Sequence, residues 1–186
     1  MLYTEKGTVE DFIIQELQML GWKYVNPEEM KLKRKENFKE PLVIEYLRNA
    51  LKRVNSNVEL TDADLGFIVI SLRTIPANLE GIRTFLDRFR NGLVVPLQKE
   101  GKEGVIRLID LENIENNEFI VTNQFKVEGL KGTIRADIVL LVNGIPLVVI
   151  EGKNPTGRRL IGRMLIGKSK DTKKKRLNFL NTFNFR

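Results

Sequence analysis

Residues 134–155 read IRADIVLLVNGIPLVVIEGKNP. Two apolar runs, Ile138–Val142 and Leu147–Ile150, flank Asn143-Gly144. Asn-Gly between β-branched runs predicts a hairpin, because both residues tolerate a positive φ. The runs carry no alternation of apolar and polar residues, so the hairpin is expected to be buried on both faces, in the middle of a sheet. Charge interrupts it at its open end, with Asp137 on the incoming strand and Glu151 and Lys153 on the outgoing one. Residues two apart on a strand leave the same face, so Glu151 and Lys153 belong together. Asp137 joins them only in one register. A two-residue loop alone pairs Asp137 with Ile150. An odd loop that includes Ile145, or one bulge near Pro146, sets Asp137 opposite Glu151. The second arrangement is the expected one.

Two carboxylates and a lysine at one sheet edge are the parts for Mg²⁺-dependent phosphodiester hydrolysis. Mg²⁺ takes hard oxygen ligands and keeps several waters, so one or two carboxylates hold it. The ion lowers the pKa of a bound water and offsets charge on the phosphate, and a neighbouring lysine orients that water or stabilises the transition state. The structural alternative is a salt-bridged Glu151–Lys153 pair closing a strand end, with Asp137 capping a turn. Carboxylates beside buried strands are costly unless paired or metal-bound, which favours the site.

Composition narrows the chemistry further. The 186 residues include no cysteine and no histidine. That excludes disulfides, thiol catalysis, Cys/His zinc sites and every mechanism with a histidine base. Carboxylate, lysine and hydroxyl chemistry remain. No apolar run approaches the length of a membrane span, and the N-terminus lacks the basic and apolar regions of a signal peptide. A cytoplasmic protein without a membrane partner is expected. The net charge of +7 is concentrated in residues 156–186, which hold ten Lys/Arg and one acid, Asp171. The chain is therefore expected to divide into a folded domain over 1–155 and a basic tail over 156–186.

The period of the apolar residues predicts helices over Thr8–Leu20, with Thr8 and Asp11 as a capping arrangement, and over Pro41–Val54. A third helix is capped by Thr61 and runs to about Leu72; here Asp62 and Asp64 read as cap residues rather than a metal loop. A fourth spans about Glu80–Phe89, ending at Asn91-Gly92. Lys31–Lys35 reads as a solvated basic loop. After Gly92 the period becomes two. Strands are expected over Leu93–Leu97, Val105–Leu111, Glu118–Val127, Ile134–Val142 and Leu147–Lys153, and Trp22–Val25 as a short extended piece. Helices followed by a mostly antiparallel sheet make an α+β (mixed α/β) fold.

The stretch resembles the PD-(D/E)xK nuclease core, and specifically the N-terminal nuclease region of the R (restriction) subunit of type I restriction enzymes. The matching residues are Asn123-Gln124, Arg135–Val139, Val142–Glu151 and Lys153-Asn154-Pro155. The resemblance implies a restriction-endonuclease-like core. In it Asp137 and Glu151 bind Mg²⁺, Lys153 completes the catalytic set, and an acid on the first helix reaches the metal. Glu10 is the choice for that acid, with Glu5 as runner-up and a solvated helix charge as the alternative. Arg135 and Gln124 are the candidate DNA contacts. The implied substrate is duplex DNA, with specificity and methyltransferase subunits as partners. ATP would serve a translocase found in whole R subunits, not this chain. Two departures bear on activity. Gly152 stands where the family has a larger residue. The Gln-x-x-x-Tyr motif expected past the lysine is absent. A nuclease-fold module that binds DNA or partner subunits but cleaves weakly or not at all is the alternative function. Gly162–Ser169 satisfies the P-loop pattern G-x-x-x-x-G-K-[ST] without the surrounding sheet, and reads as coincidence. The tail's Lys173–Arg176 cluster with Phe179, Phe183 and Phe185 reads as a solvated end.

Overall fold

The computed structural model describes residues 5–129 and 132–152. Its order is α1 (Glu5–Met19), β1 (Lys23–Tyr24), α2 (Pro27–Lys33), α3 (Ile44–Val54), α4 (Asp62–Arg73), α5 (Leu79–Asn91), β2 (Leu93–Leu97), β3 (Lys102–Ile106), a 3-10 turn at Ile114–Asn116, β4 (Phe119–Gly129), β5 (Gly132–Val142) and β6 (Ile145–Ile150). The fold is α+β. Its strands form two sheets: a main sheet in the order β1-β4-β5-β6 and a separate β2-β3 pair. In the main sheet β1 runs parallel to β4 and the other neighbours are antiparallel.

Helices cover both faces of the main sheet. On one face Ile14 of α1, with Ile13 and Leu17 beside it, packs on Val121, Ile138 and Leu140. On the other, Met30 of α2 and Val43 and Tyr46 around α3 pack on Ile120, Val139 and Leu141. The far side of α3 shares a third cluster with α4 and the β2-β3 pair, through Leu47, Leu51, Leu65, Leu72, Val95 and Ile106. Each fully buried aliphatic side chain here stabilises the fold by about 1.5–3 kcal/mol relative to exposure. The helices from α3 onward are therefore scaffold.

The helix ends follow local chemistry. Thr61 and Asp64 form a reciprocal capping box on α4, as the sequence predicts. Gly92 ends α5 at φ 88°. After α1, Gly21 at φ 91° lets Gly21 N–H reach Gln18 O and Trp22 N–H reach Leu17 O, a Schellman closure. Other boundaries differ from expectation. α1 begins at Glu5, so Thr8 lies inside the helix rather than at its cap. α3 begins at Ile44 rather than Pro41, because Val43 N–H is taken by Gly144 O and Leu42 N–H by the Glu40 carboxylate. Residues 31–33 lie in α2, capped by Asn26, not in a solvated loop. Arg34 is itself buried, donating to Glu40 O and Lys126 O with its guanidinium 4.2 Å from the Phe125 ring centroid. Burial holds its pKa down to about 10 against the pull of Glu40. β3 stops at Ile106 rather than Leu111, since the Asn55 side chain takes both backbone groups of Arg107 in place of a strand.

Only one strand of the hairpin is buried as expected. β5 is buried throughout from Ala136 to Val142. β6 is an edge strand among the described residues, with Leu147 37% and Val148 45% exposed.

Candidate active site

The β5–β6 turn has two residues, Asn143 at φ 54° and Gly144 at φ 76°, the conformation Asn-Gly predicts. Its tip is fixed from three sides. Asn143 is fully buried and donates its side-chain amide to Leu108 O and Asn117 Oδ1, while its Oδ1 accepts from Glu118 N. Gly144 O accepts from Val43 N at 2.9 Å.

Below the turn the register changes. Val142 pairs with Ile145 and Leu141 with Pro146, but Leu140 pairs with Val148, Val139 with Val149 and Ile138 with Ile150. Leu147 is the extra residue of a β-bulge, next to a proline that has no N–H to give the ladder. Of the two devices that strand parity allows, an odd loop or a bulge near Pro146, the chain uses the bulge. The last pair of the ladder is Ile138 with Ile150, and the same register continued one step would set Asp137 opposite Glu151. The Asp137 carboxylate there accepts from Gly152 N at 2.9 Å. Asp137 is 5% exposed, whereas Glu151 is exposed.

A second irregularity lies across β4. The β4–β5 ladder pairs Asn123 with Ile138 and Phe125 with Ala136 in one unbroken register, yet skips Gln124 and Asp137 between them. Gln124 sits at φ 54°, an uncommon conformation for a non-glycine in a strand. The phase of burial switches there. Before the break Val121 and Ile138 face α1; after it Phe125 and Ala136 join the opposite face. Gln124 turns its amide to Glu10, donating to both carboxylate oxygens at 3.2 and 2.9 Å. Glu10 is only 6% exposed, so it is not a solvated charge on the first turns of α1. Tyr24 completes the surroundings, its hydroxyl donating to Asn123 Oδ1 at 3.0 Å. Burial first, then the Asp11 and Glu10 carboxylates, push its pKa above the ordinary phenol value.

Chemically, Asp137 and Glu151 supply hard oxygen donors at one end of the β5–β6 ladder, and a two-carboxylate set of this kind fits Mg²⁺ with water filling the remaining positions. Among the described residues, no three carboxylates converge as a metal-holding group. Lys153 and Glu5's side chain lie outside the described residues, as do the P-loop-like Gly162–Ser169 and the basic Lys173–Arg176.

The family described as "Type I restriction enzyme R protein N terminus" matches residues 2–174. This chain belongs to that family. It is 29% identical over 167 residues to the type I restriction enzyme HindI endonuclease subunit of Haemophilus influenzae, covering 81% of this chain and 15% of the relative. It is 31% identical over 159 residues to a putative type I restriction enzyme MjaIXP endonuclease subunit of Methanocaldococcus jannaschii, with the same coverage. To the type I restriction enzyme EcoprrI endonuclease subunit of Escherichia coli it is 31% identical over 153 residues, 81% of this chain and 44% of the relative. The chain thus spans about 15% of the length of the first two relatives.

For this R-protein N-terminal chain, sequence reasoning missed Tyr24 and Arg34. No motif marks either. Arg34 stands inside a run of cations that reads as one solvated patch, and its burial follows only from β4 passing over α2. Of the two candidate DNA contacts, Arg135 is exposed on β5 and Gln124 is hydrogen-bonded to Glu10.

Proposed function

We propose that the chain is the metal-dependent DNA endonuclease domain of a type I restriction enzyme R subunit. The observation that carries the reading is the bulge at Leu147, below which Ile138 pairs with Ile150 and the Asp137 carboxylate accepts from Gly152 N, next to Glu151, in a chain of this family. Asp137 and Glu151 would hold Mg²⁺. The bound ion supplies a water of lowered pKa and offsets charge on the phosphate. Gly152 N–H fixes the Asp137 carboxylate so that it need not reorganise. Lys153, two residues beyond Glu151, stabilises the charge that develops on the phosphate or orients the attacking water. Glu10, anchored by Gln124 beside the same break in the ladder, is a further carboxylate near the site; the ligand set needs only Asp137 and Glu151. The substrate is duplex DNA. Sequence choice comes from specificity and methyltransferase subunits, and ATP-driven translocation from elsewhere in the longer subunit. The setting is the cytoplasm; among the described residues no helix is long and apolar enough to cross a membrane.

Nicking of supercoiled plasmid with Mg²⁺ or Mn²⁺ tests this reading, comparing the chain with Asp137→Asn and Lys153→Ala. Metal-dependent nicking lost in both variants is the expected result. The rival reading is a nuclease fold that binds without cutting. It rests on the two departures from the family pattern, at Gly152 and in the absent Gln-x-x-x-Tyr motif, and predicts no nicking by folded protein. Nicking that survives Asp137→Asn would overturn the assignment of the site.

A further inference from the structure

Neighbouring rungs of the β4–β5 ladder differ sharply in character. Phe125–Ala136 and Val127–Ile134 face the core. Between them Lys126 and Arg135 stand directly opposite one another on the other, exposed face. Among the described residues, neither makes an ion pair. Lys126 Nζ lies 5.9 Å from the Phe38 ring centroid. Like charges opposite each other on a sheet are destabilising, so the rung costs the isolated fold stability that a bound anion would return.

The rung is also placed and held for such a role. Lys126 and Arg135 are each two residues from the Gln124/Asp137 break, about 7 Å along the strands. The outer edge of β4 is stapled at this level: Arg34 donates to Lys126 O at 2.6 Å and Glu128 N to Phe38 O at 2.8 Å. Lys126 therefore projects from a backbone that is pinned on both sides.

We propose that the Lys126–Arg135 rung is a phosphate clamp, seating the backbone of duplex DNA beside Asp137. The inference rests on the nuclease reading for its choice of partner. The clamp binds phosphate and not bases, so it sets the position of the strand without reading its sequence.

The test is fluorescence anisotropy of a labelled short duplex with the full chain in EDTA, so that cutting plays no part, across 50–200 mM salt. Lys126→Glu and Arg135→Glu are compared with Lys52→Glu, a charge-matched change at an exposed position of α3. Each rung variant is expected to weaken binding about tenfold. Its log K against log salt should flatten by about 0.9 for each phosphate no longer neutralised. Lys52→Glu should leave the slope unchanged. The urea midpoint of Lys126→Glu should hold or rise, because an attractive pair replaces a repulsive one; that excludes misfolding as the cause of weaker binding. Rung variants that bind no worse than Lys52→Glu would overturn the clamp, as would absence of salt-sensitive duplex binding by the unaltered chain. The nuclease reading fails separately: a chain that binds through the rung yet never nicks with metal sinks that reading and leaves the clamp standing.

Discussion

Gly152 N–H lies 2.9 Å from Asp137 Oδ2, tying the exit of β6 to the carboxylate on β5. That hydrogen bond lies just past the Ile138–Ile150 pair, in the register that follows the bulge. Everything between the turn and the bond is set by the fixed tip at Asn143-Gly144 and the extra Leu147.

Deleting Leu147 should remove the bulge and keep the site. The Leu141–Pro146 pair then passes straight into Leu140–Val148, and Ile138 still meets Ile150, so Asp137 keeps its level beside Glu151 and Gly152. Leu147 is 37% exposed, so little core is lost. The expected outcome is a far-UV circular dichroism spectrum like that of the parent with calorimetric Mg²⁺ binding retained. Lost metal binding would mean that the bulge itself, and not the register alone, shapes the ligands.

The turn itself should tolerate no side chain at its second position. A Cβ on Gly144 would stand 2.6 Å from Val43 O, 2.7 Å from Leu47 N and 3.0 Å from Tyr46 Cβ, at φ +76°. Backbone at those distances cannot move aside without breaking the start of α3. Gly144→Ala should cost more than about 2 kcal/mol, read as a lower urea midpoint. An unchanged midpoint would show that the tip is not packed as described.

These two positions mark what the sequence made legible. Asn143-Gly144, the β-branched runs and the spacing of Asp137, Glu151 and Lys153 act through local backbone preference, and such signals survive in any tertiary context. The need for an odd register also followed from the pattern, because strand parity leaves no other way for the carboxylates to meet. The break at Gln124 did not follow. A glutamine at positive φ has no local signature; Glu10 on α1, more than a hundred residues away, is what its side chain meets. The edge position of β6 and the separate β2-β3 sheet were equally hidden, since an apolar run reads the same whether neighbours cover it or not.

Acid should weaken the α4 cap in a defined window. Burial pushes the Asp64 pKa up, but hydrogen bonds from the Thr61 hydroxyl, Thr61 N–H and Gln98 N–H outweigh it and hold the carboxyl below its ordinary value. A folded-state pKa below the unfolded one binds fewer protons in the folded state. The stability is thus complete above about pH 4 and is lost as pH falls through the depressed value. Asp64→Asn should cost about 1 kcal/mol at pH 7, and its melting temperature should converge on that of the parent as pH falls below the ordinary carboxylate range. Parallel curves would show that the charge contributes nothing.

Gly152 is one of the two departures from the pattern that the resemblance implies, and the structure gives it room for a side chain. A Cβ built there would lie 3.6 Å from Asp137 Oδ2, an ordinary van der Waals contact, and nothing nearer obstructs it among the described residues. Gly152 is also absent from the positive-φ residues, so its backbone suits an L side chain. Gly152→Ala removes conformational freedom from the unfolded chain, which should raise stability by about 0.4–1 kcal/mol. The hydrogen bond to Asp137 comes from the backbone and is kept. The same substitution should also raise the single-turnover nicking rate, because a stiffer backbone at position 152 holds Glu151 closer to one geometry. Plasmid nicking and urea unfolding of the alanine variant read the two effects separately. A gain in stability with no gain in rate would assign Gly152 to the fold alone. A loss in both would mean that the backbone at this point needs its freedom to close on the phosphate.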